Sequence, residues 1–370
     1  MGDVVKAKSG WSPSEFKIDR YQGILFIKVD DLNNSQREQD TSKWHVYENR
    51  NYPKIKKLST IFPKRGAAIL TNKVRILSQD CYMDTNIMAL EPEKIEPDFL
   101  YSFIEQTGLF KIADTSTIPQ INNKHINPYK LWIPYYSEQK KIANLLKIVD
   151  NIITLQQRKL EYFMTIKAEL LRSIFPNTVG KRGLHISDQP WKLQTMNDIF
   201  KEKNIKNEHG KLLSVSISKG IYPFSENERK NNSSNNKSNY KEVKYNDIAY
   251  NSMRMWQGAL GVSKYDGIVS PAYTVITAKK QENPLFYYYY FKNKRMLFNF
   301  RQHSQGLTSD TWNLKFPLFK KIIIQTPISK KEEQIIANLF KTLDQNIIYT
   351  KTKIEKFNYI KQFLLQNMFI

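Results

Sequence analysis

From Ile142 onward the apolar residues recur in alternating steps of four and three: Ile142, Leu146, Val149, Ile153, Leu160, Phe163, Leu170 and Ile174. That spacing predicts a long helix with one apolar seam for a partner helix. The pattern returns at a constant offset of 194 residues as Ile336, Phe340, Leu343, Ile347, Ile354, Phe357, Leu364 and Met368. Neither copy contains a proline or glycine. Each predicts a rod of roughly 50 Å, at about 1.5 Å per residue. Both copies interrupt the seam at the same two places, Gln156 with Thr350 and Lys167 with Lys361, and both share an aspartate, Asp150 and Asp344. Chance periodicity would not repeat its defects. Polar residues in a seam fix register and partner at some cost in stability. We therefore expect the two helices to pair with each other, antiparallel.

A repeated helix implies a repeat of what lies between. LWIPYYSEQKKIAN precedes the first copy and IIIQTPISKKEEQIIAN the second, each a strand-like run, a proline, a serine and then glutamates. Negative charge there suits a helix N-terminus. The second is one residue shorter between Glu-Gln and Ile-Ala. EPDFLYSFI from Glu96 parallels ENPLFYYYYF from Glu282, each placing proline at the first turn of an aromatic helix that reads as core. GILFIKVDDLNN from Gly23 parallels GKLLSVSISKG from Gly210, and GAAILTNKVRIL from Gly66 is expected to parallel YNDIAYNSMRMW from Tyr245. Residues 2–5 align with 197–200 at an offset of 195, and the first unit lacks a counterpart of the Trp-Lys-Leu run at Trp191. NNSSNNKSN at 231–239 reads as a polar loop. The expected fold class is α+β: two pseudo-repeated mixed α/β domains, 1–136 and 177–328, separated by two long antiparallel coiled-coil helices, 137–176 and 329–370.

Charge changes the picture. Of 370 residues, 57 are Lys or Arg and 35 are Asp or Glu, a net charge of +22. Such a surplus repels itself unless a polyanion neutralises it. A lysine-rich composition alone is the blander reading. The single cysteine, Cys81, excludes an internal disulfide and a cysteine zinc site. The histidines (His45, His125, His185, His209, His303) have no ligand spacing, so no metal site is expected. No run has the roughly 18 apolar residues of a membrane helix. We expect a cytoplasmic protein without membrane contact.

No catalytic residues emerge. Ser270-Pro271-Ala272-Tyr273 lacks the second proline of an amino-methyltransferase motif, and there is no phosphate-binding GK(S/T) loop. Glu15-Phe16-Lys17 and Glu242-Val243-Lys244 resemble the end of one nuclease pattern without a clear acidic partner upstream. Candidates for contacting DNA are polar or basic residues beside the β runs. In the first unit these are Lys28, Asn72, Lys73, Arg75, Asn122 and Lys124. In the second they are Lys219, Asn251, Arg254, Gln257, Lys264, Arg301 and Asn313. Three functions stay open: a DNA-reading subunit of a modification complex, a self-contained DNA methyltransferase or nuclease, and a coiled-coil scaffold with two protein-binding heads.

ILTNKVRIL, YNSMRMWQGALGVSKYDGIVSPAYTVI and above all the twice-written proline, Glu-Gln, Ile-Ala helix signature resemble the specificity subunit of type I restriction-modification enzymes. The resemblance covers essentially the whole chain. It implies two target recognition domains, two conserved spacer helices and one bipartite asymmetric target in double-stranded DNA. It also implies docking of two methyltransferase subunits and of restriction subunits. S-adenosylmethionine, ATP and Mg would sit on those partners and no cofactor on this chain.

Overall fold

The structure is a computed structural model that describes residues 1–19, 22–115, 118–175, 190–226, 236–279 and 282–369. The linker at 177–189 and residues 231–235 of the polar loop lie outside the described residues. The chain divides into two compact units, one of residues 1–159 with 350–370 and one of residues 160–349. Among the described residues no helix is long and apolar enough to cross a membrane.

Unit one contains strands β1 (Val5–Ser9), β2 (Ile24–Ile27), β3 (Thr60–Pro63), β4 (Arg75–Leu77), β5 (Tyr82–Met83) and β6 (Ile87–Pro92). Its main sheet runs β1-β6-β3-β4, with the short strand Glu38–Gln39 parallel to β4 at the edge. β2 pairs parallel with β5 through Phe26 and Tyr82. Helix α1 (Pro97–Thr107) starts where expected: Pro97 needs no partner for a missing N–H, and Glu96 accepts the Phe99 N–H at 2.6 Å. Phe99, Leu100 and Ile104 of α1 pack with Phe62, Ile76, Met88 and Leu90 of the sheet. The first long helix, α2 (Tyr136–Ile174), adds Ala143 to this core.

Unit two contains β7 (Trp191–Thr195), β8 (Phe200–Glu202), β9 (Leu213–Ser216), β10 (Gly220–Pro223), β11 (Ile248–Asn251), β12 (Leu260–Val262), β13 (Gly267–Val269), β14 (Tyr273–Ala278), α3 (Pro284–Lys292), α4 (Lys294–Gln302) and β15 (Ile323–Pro327), followed by the second long helix, α5 (Lys330–Met368). Its sheet order, β8-β14-β11-β12, repeats that of unit one. Val5 opposite Pro92 becomes Phe200 opposite Ala278, and Thr60 opposite Leu90 becomes Ile248 opposite Ile276. The first pair carries the offset of 195 read at the start of the chain.

Two alignments made on sequence are corrected. The counterpart of Ile248–Asn251 is Thr60–Pro63, not the run from Gly66, since both form the strand paired on each side. The GAAILT stretch is a 3-10 turn after that strand, matching the turn Met255–Gln257. The missing residue before the second helix also disappears. Gln139, 3% exposed, accepts the Glu96 N–H at 2.9 Å, and Glu333, 0% exposed, takes the equivalent buried place on the first turn of the second long helix. Gln139 therefore corresponds to Glu333 and Glu138 to Glu332, so the offset of 194 holds from the first turn.

The seam acquires a physical reason for its lysines. Within unit one, Lys361 Nζ lies 2.7 Å from Asp150 and 2.7 Å from Glu105. Within unit two, Lys167 Nζ lies 2.5 Å from Asp344. These are one interaction written twice, since both lysines and both aspartates are related by the repeat offset. The direction is antiparallel. Phe369 lies 5.1 Å from Phe99 in the core that Ala143 joins, while Lys361 meets Asp150. Likewise Phe175 stacks on Phe340 at 5.9 Å while Lys167 meets Asp344. Leu146, Val149, Ile153, Ile174, Ile336, Phe340 and Leu343 are buried. Ile142, Leu160, Phe163, Leu170, Ile347, Ile354, Phe357 and Leu364 are half-buried.

The two copies differ in what else grips the aspartate. Asp150 also takes Arg37 Nη1 at 2.7 Å, and Arg37 pairs in turn with Asp98 and lies 4.5 Å over the Tyr101 ring. Burial opposes the Arg37 charge, but Tyr101, Asp150 and Asp98 outweigh it and raise its pKa. Asp344 instead accepts the Tyr289 hydroxyl at 2.8 Å. Asp150 is 8% exposed on its side chain and Asp344 30%. Removing Asp150 takes one of two carboxylates from both Arg37 and Lys361, whereas removing Asp344 leaves a lysine that reaches water. Asp150→Ala should cost about 3–5 kcal/mol and Asp344→Ala about 1 kcal/mol. Urea unfolding of the two variants measures this. Equal losses would show that the helices, not this network, set the stability of unit one.

Candidate nucleic-acid interface

In unit two the chain leaves β11 at Asn251 and returns at β12 through a tight loop. The Asn251 side-chain oxygen accepts the Met253 N–H at 3.0 Å, and Asn251 N–H donates to Ala259 O at 2.9 Å, closing the loop. Gly258 permits its φ of 86°. A second loop stands beside it. Gln305 and Asn313 exchange backbone hydrogen bonds at 3.0 and 2.7 Å, and Leu314 N–H donates to Ser252 O at 2.9 Å. The two loops share an aromatic base. Trp256 meets Trp312 edge-on at 5.1 Å, and the Arg301 guanidinium lies 4.7 Å over the Trp312 ring. Arg254 reaches Asp310 at 3.9 Å. Asn251, Arg254, Gln257, Arg301 and Asn313 are thus brought together. Among the described residues, Asn313 Oδ1 is buried with no hydrogen-bond partner.

The hairpin β9–β10 completes this end. Lys292 Nζ on α3 donates to Ile217 O at 3.0 Å and to Gly258 O at 2.5 Å, tying the hairpin turn to the first loop. Burial, with a smaller push from Lys167, lowers the Lys292 pKa to about 8. The hairpin lies so close to β12 that a Cβ on Gly261 would stand 2.5 Å from Ile221 N. Lys219 sits at the hairpin turn, exposed, 5.2 Å over the Tyr222 ring. Lys264 is not part of the group: it follows the far end of β12, where Val262 pairs with Ile248.

Unit one repeats the pair of loops. Gly66 N–H donates to Pro119 O at 2.8 Å, Asp114 and Gln120 exchange bonds at 2.9 and 3.0 Å, and Ile121 N–H donates to Lys64 O as Leu314 does to Ser252. Exposed Arg65 and Lys124 and half-buried Asn122 lie here. Asn122 caps a short helix (Asn123–Ile126), and its Nδ2 donates to Gln120 Oε1 at 3.3 Å.

The other first-unit candidates hold structure. Asn72, in left-handed backbone at φ 47°, donates to Glu105 O and accepts the Leu109 N–H, joining its turn to α1. Arg75 engages Ser35 Oγ, Val74 O and Leu32 O, and burial lowers its pKa. Lys73 bonds Asn33, and Lys28 lies 3.6 Å over the Trp44 ring. Arg65, Trp256, Trp312 and Lys292 were missed on sequence. The tryptophans carried a signal, since each lies within one residue of a candidate.

The nuclease-like triplets are neutralised. Glu242 pairs with Lys203 at 3.1 Å and Lys244 at 3.4 Å, and Glu15 accepts the Tyr52 hydroxyl at 3.0 Å. Ser270-Pro271-Ala272-Tyr273 is a turn into β14, with Tyr273 N–H donating to Ser270 O. Among the described residues no three His, Cys, Asp or Glu side chains could hold a metal ion.

The family model of the type I restriction modification DNA specificity domain matches this chain twice, at residues 1–162 and 188–359. Its fold is similar to the crystal structure of a type I restriction-modification system S subunit from M. genitalium, at 13% identity and a TM-score of 0.65, covering 100% of this chain and 94% of that one. A chain from a structure on complex assembly and conformational transition of the type I R-M system matches at 11% identity and a TM-score of 0.51, covering 99% and 95%. With the family model matching nearly its whole length in two copies, the chain belongs to the type I restriction-modification specificity family, as a non-catalytic specificity subunit.

Proposed function

We propose that this chain reads a bipartite, asymmetric target in double-stranded DNA, one half-site per unit, and docks two methyltransferase subunits to which restriction subunits add. The observation that carries it is the pair of loops built the same way in each unit and differing in side chains, on a chain of net charge +22. Charge of that size supplies phosphate contacts. The amides and arginines gathered in unit two, Asn251, Arg254, Gln257, Arg301 and Asn313, are of the kind that makes bidentate base contacts. The two long helices set the number of unread base pairs between half-sites. S-adenosylmethionine belongs to the methyltransferase partners, ATP and Mg to the restriction step, and the complex works in the cytoplasm.

The isolated chain should bind duplex DNA with a steep salt dependence. Six to ten phosphate contacts correspond to a loss of about 10³–10⁵ in affinity between about 50 and 200 mM salt. It should not methylate or cut DNA with S-adenosylmethionine, ATP and Mg, and methylation should appear with the methyltransferase partner. A flat salt response would favour the protein-binding scaffold; turnover by the pure chain would end the non-catalytic reading.

Exchanging residues 191–326 for those of a relative should change one half of the methylated target and leave the other half as it was. Methylome sequencing of cells carrying each version reads this directly. Changes in both halves would mean that the units do not read independently.

A further inference from the structure

The second loop of unit two is closed twice. Gln305 and Asn313 lock its base through their backbone bonds. Further out, Thr311 N–H and Trp312 N–H both donate to Thr308 O, at 3.0 and 3.1 Å, and Thr308 N–H donates to Thr311 Oγ1 at 3.1 Å. Gly306 lies between the closures at φ 138°, where a Cβ would stand 2.6 Å from Thr311 O. The two arms therefore touch there, and the next residue, Leu307, is turned outward and 101% exposed. Its side chain contributes nothing to holding the loop.

A single bare apolar residue is ordinary on a protein surface. Two observations set this one apart. The equivalent loop of unit one, closed by Asp114 and Gln120, also presents an aliphatic residue, Ile118, 71% exposed. Charge is also graded along the loop of unit two. Arg301 lies over Trp312 at the base, whereas Leu307, Thr308 and Ser309 farther out are uncharged and Asp310 is met by Arg254 at 3.9 Å. Phosphates edge a DNA groove and base edges form its floor, so cations belong at the rim and uncharged groups farther in. On the floor of the major groove the apolar group is the C5-methyl of thymine.

We propose that Leu307 packs on a thymine C5-methyl group in the major groove and so fixes an A·T pair within the half-site of unit two. This rests on the reading of unit two as a DNA-recognition unit and adds the group that one of its residues reads. Leu307 differs in kind from Asn251, Arg254, Gln257, Arg301 and Asn313. Those side chains offer hydrogen bonds, which thymine and uracil satisfy alike. Contact with the methyl group is what separates the two bases.

The target is first fixed by methylome sequencing of cells carrying the complete system. Labelled target duplexes are then made for the half-site that changes when residues 191–326 are exchanged. In each, one thymine is replaced by deoxyuridine, which lacks only the methyl group. Fluorescence anisotropy with the full chain should show one position at which the replacement weakens binding about fourfold, the worth of one buried methyl. Leu307→Ala should bind thymine and uracil equally at that position, and Leu307→Met should keep the difference. Neither variant should change the melting temperature. Uracil tolerated at every position, a half-site without thymine on either strand, or a preference for thymine that survives Leu307→Ala overturns the proposal while recognition by unit two stands. An even loss of affinity over all duplexes in Leu307→Ala would make Leu307 a wedge or a backbone contact and overturn it too. No preference for the target over a scrambled duplex overturns the reading of unit two, and the proposal with it.

Discussion

A lysine that crosses to an aspartate on a neighbouring helix, written twice, is the contact on which the rest depends. An isolated lysine in an apolar seam would carry the cost of burying an unpaired charge. Placed opposite Asp150 or Asp344, it becomes a register mark. Only one antiparallel alignment brings Lys361 to Asp150, and the repeat makes the same alignment bring Lys167 to Asp344. The apolar seam alone would tolerate a slip of one heptad. The charged pairs would not, since a slip separates both at once. Stability is therefore given up at two seam positions for a single register.

Each unit then hangs on its own version of that mark. In unit one the first aromatic helix contributes Tyr101 and Glu105, and the loop before β3 contributes Arg37. In unit two the corresponding helix contributes Tyr289, and Lys292 of the same helix ties the hairpin turn to the first loop through Ile217 O and Gly258 O. The aromatic helix is the joint between a constant part and a variable one. Its buried face must suit the long helices, while its C-terminal end positions loops that differ between the units.

Much of this frame was legible in the sequence, because it is made of periodic, repeated elements. The helix repeat, its polar interruptions and the two prolines of α1 and α3 all carry local physical signals. So did the alignment of 2–5 with 197–200. What failed was register inside the units. Gly66 and Tyr245 open similar-looking runs, yet the strands that match are Thr60–Pro63 and Ile248–Asn251. Which run becomes a central strand is decided by two neighbours distant in sequence, and no local pattern contains them. The candidate interface divides for the same reason. Arg254, Gln257, Arg301 and Asn313 converge because two loops lie side by side, whereas Asn72 and Arg75 are consumed by backbone groups of segments far along the chain.

That division separates side chains that can be exchanged from side chains that cannot. In unit two the loops are closed by backbone bonds, Asn251 with Ala259 and Gln305 with Asn313, and by glycines at 258 and 261. Backbone bonds do not depend on side-chain identity. Side chains at 254, 257 and 301 can therefore be exchanged without dismantling the loops. Asn72 and Arg75 cannot, because their side chains are the bonds. Side chains can vary on one set of positions while the fold is held by another. The seam of the long helices, whose lysines and aspartates must change together in both copies to keep one register, is the part least free to move.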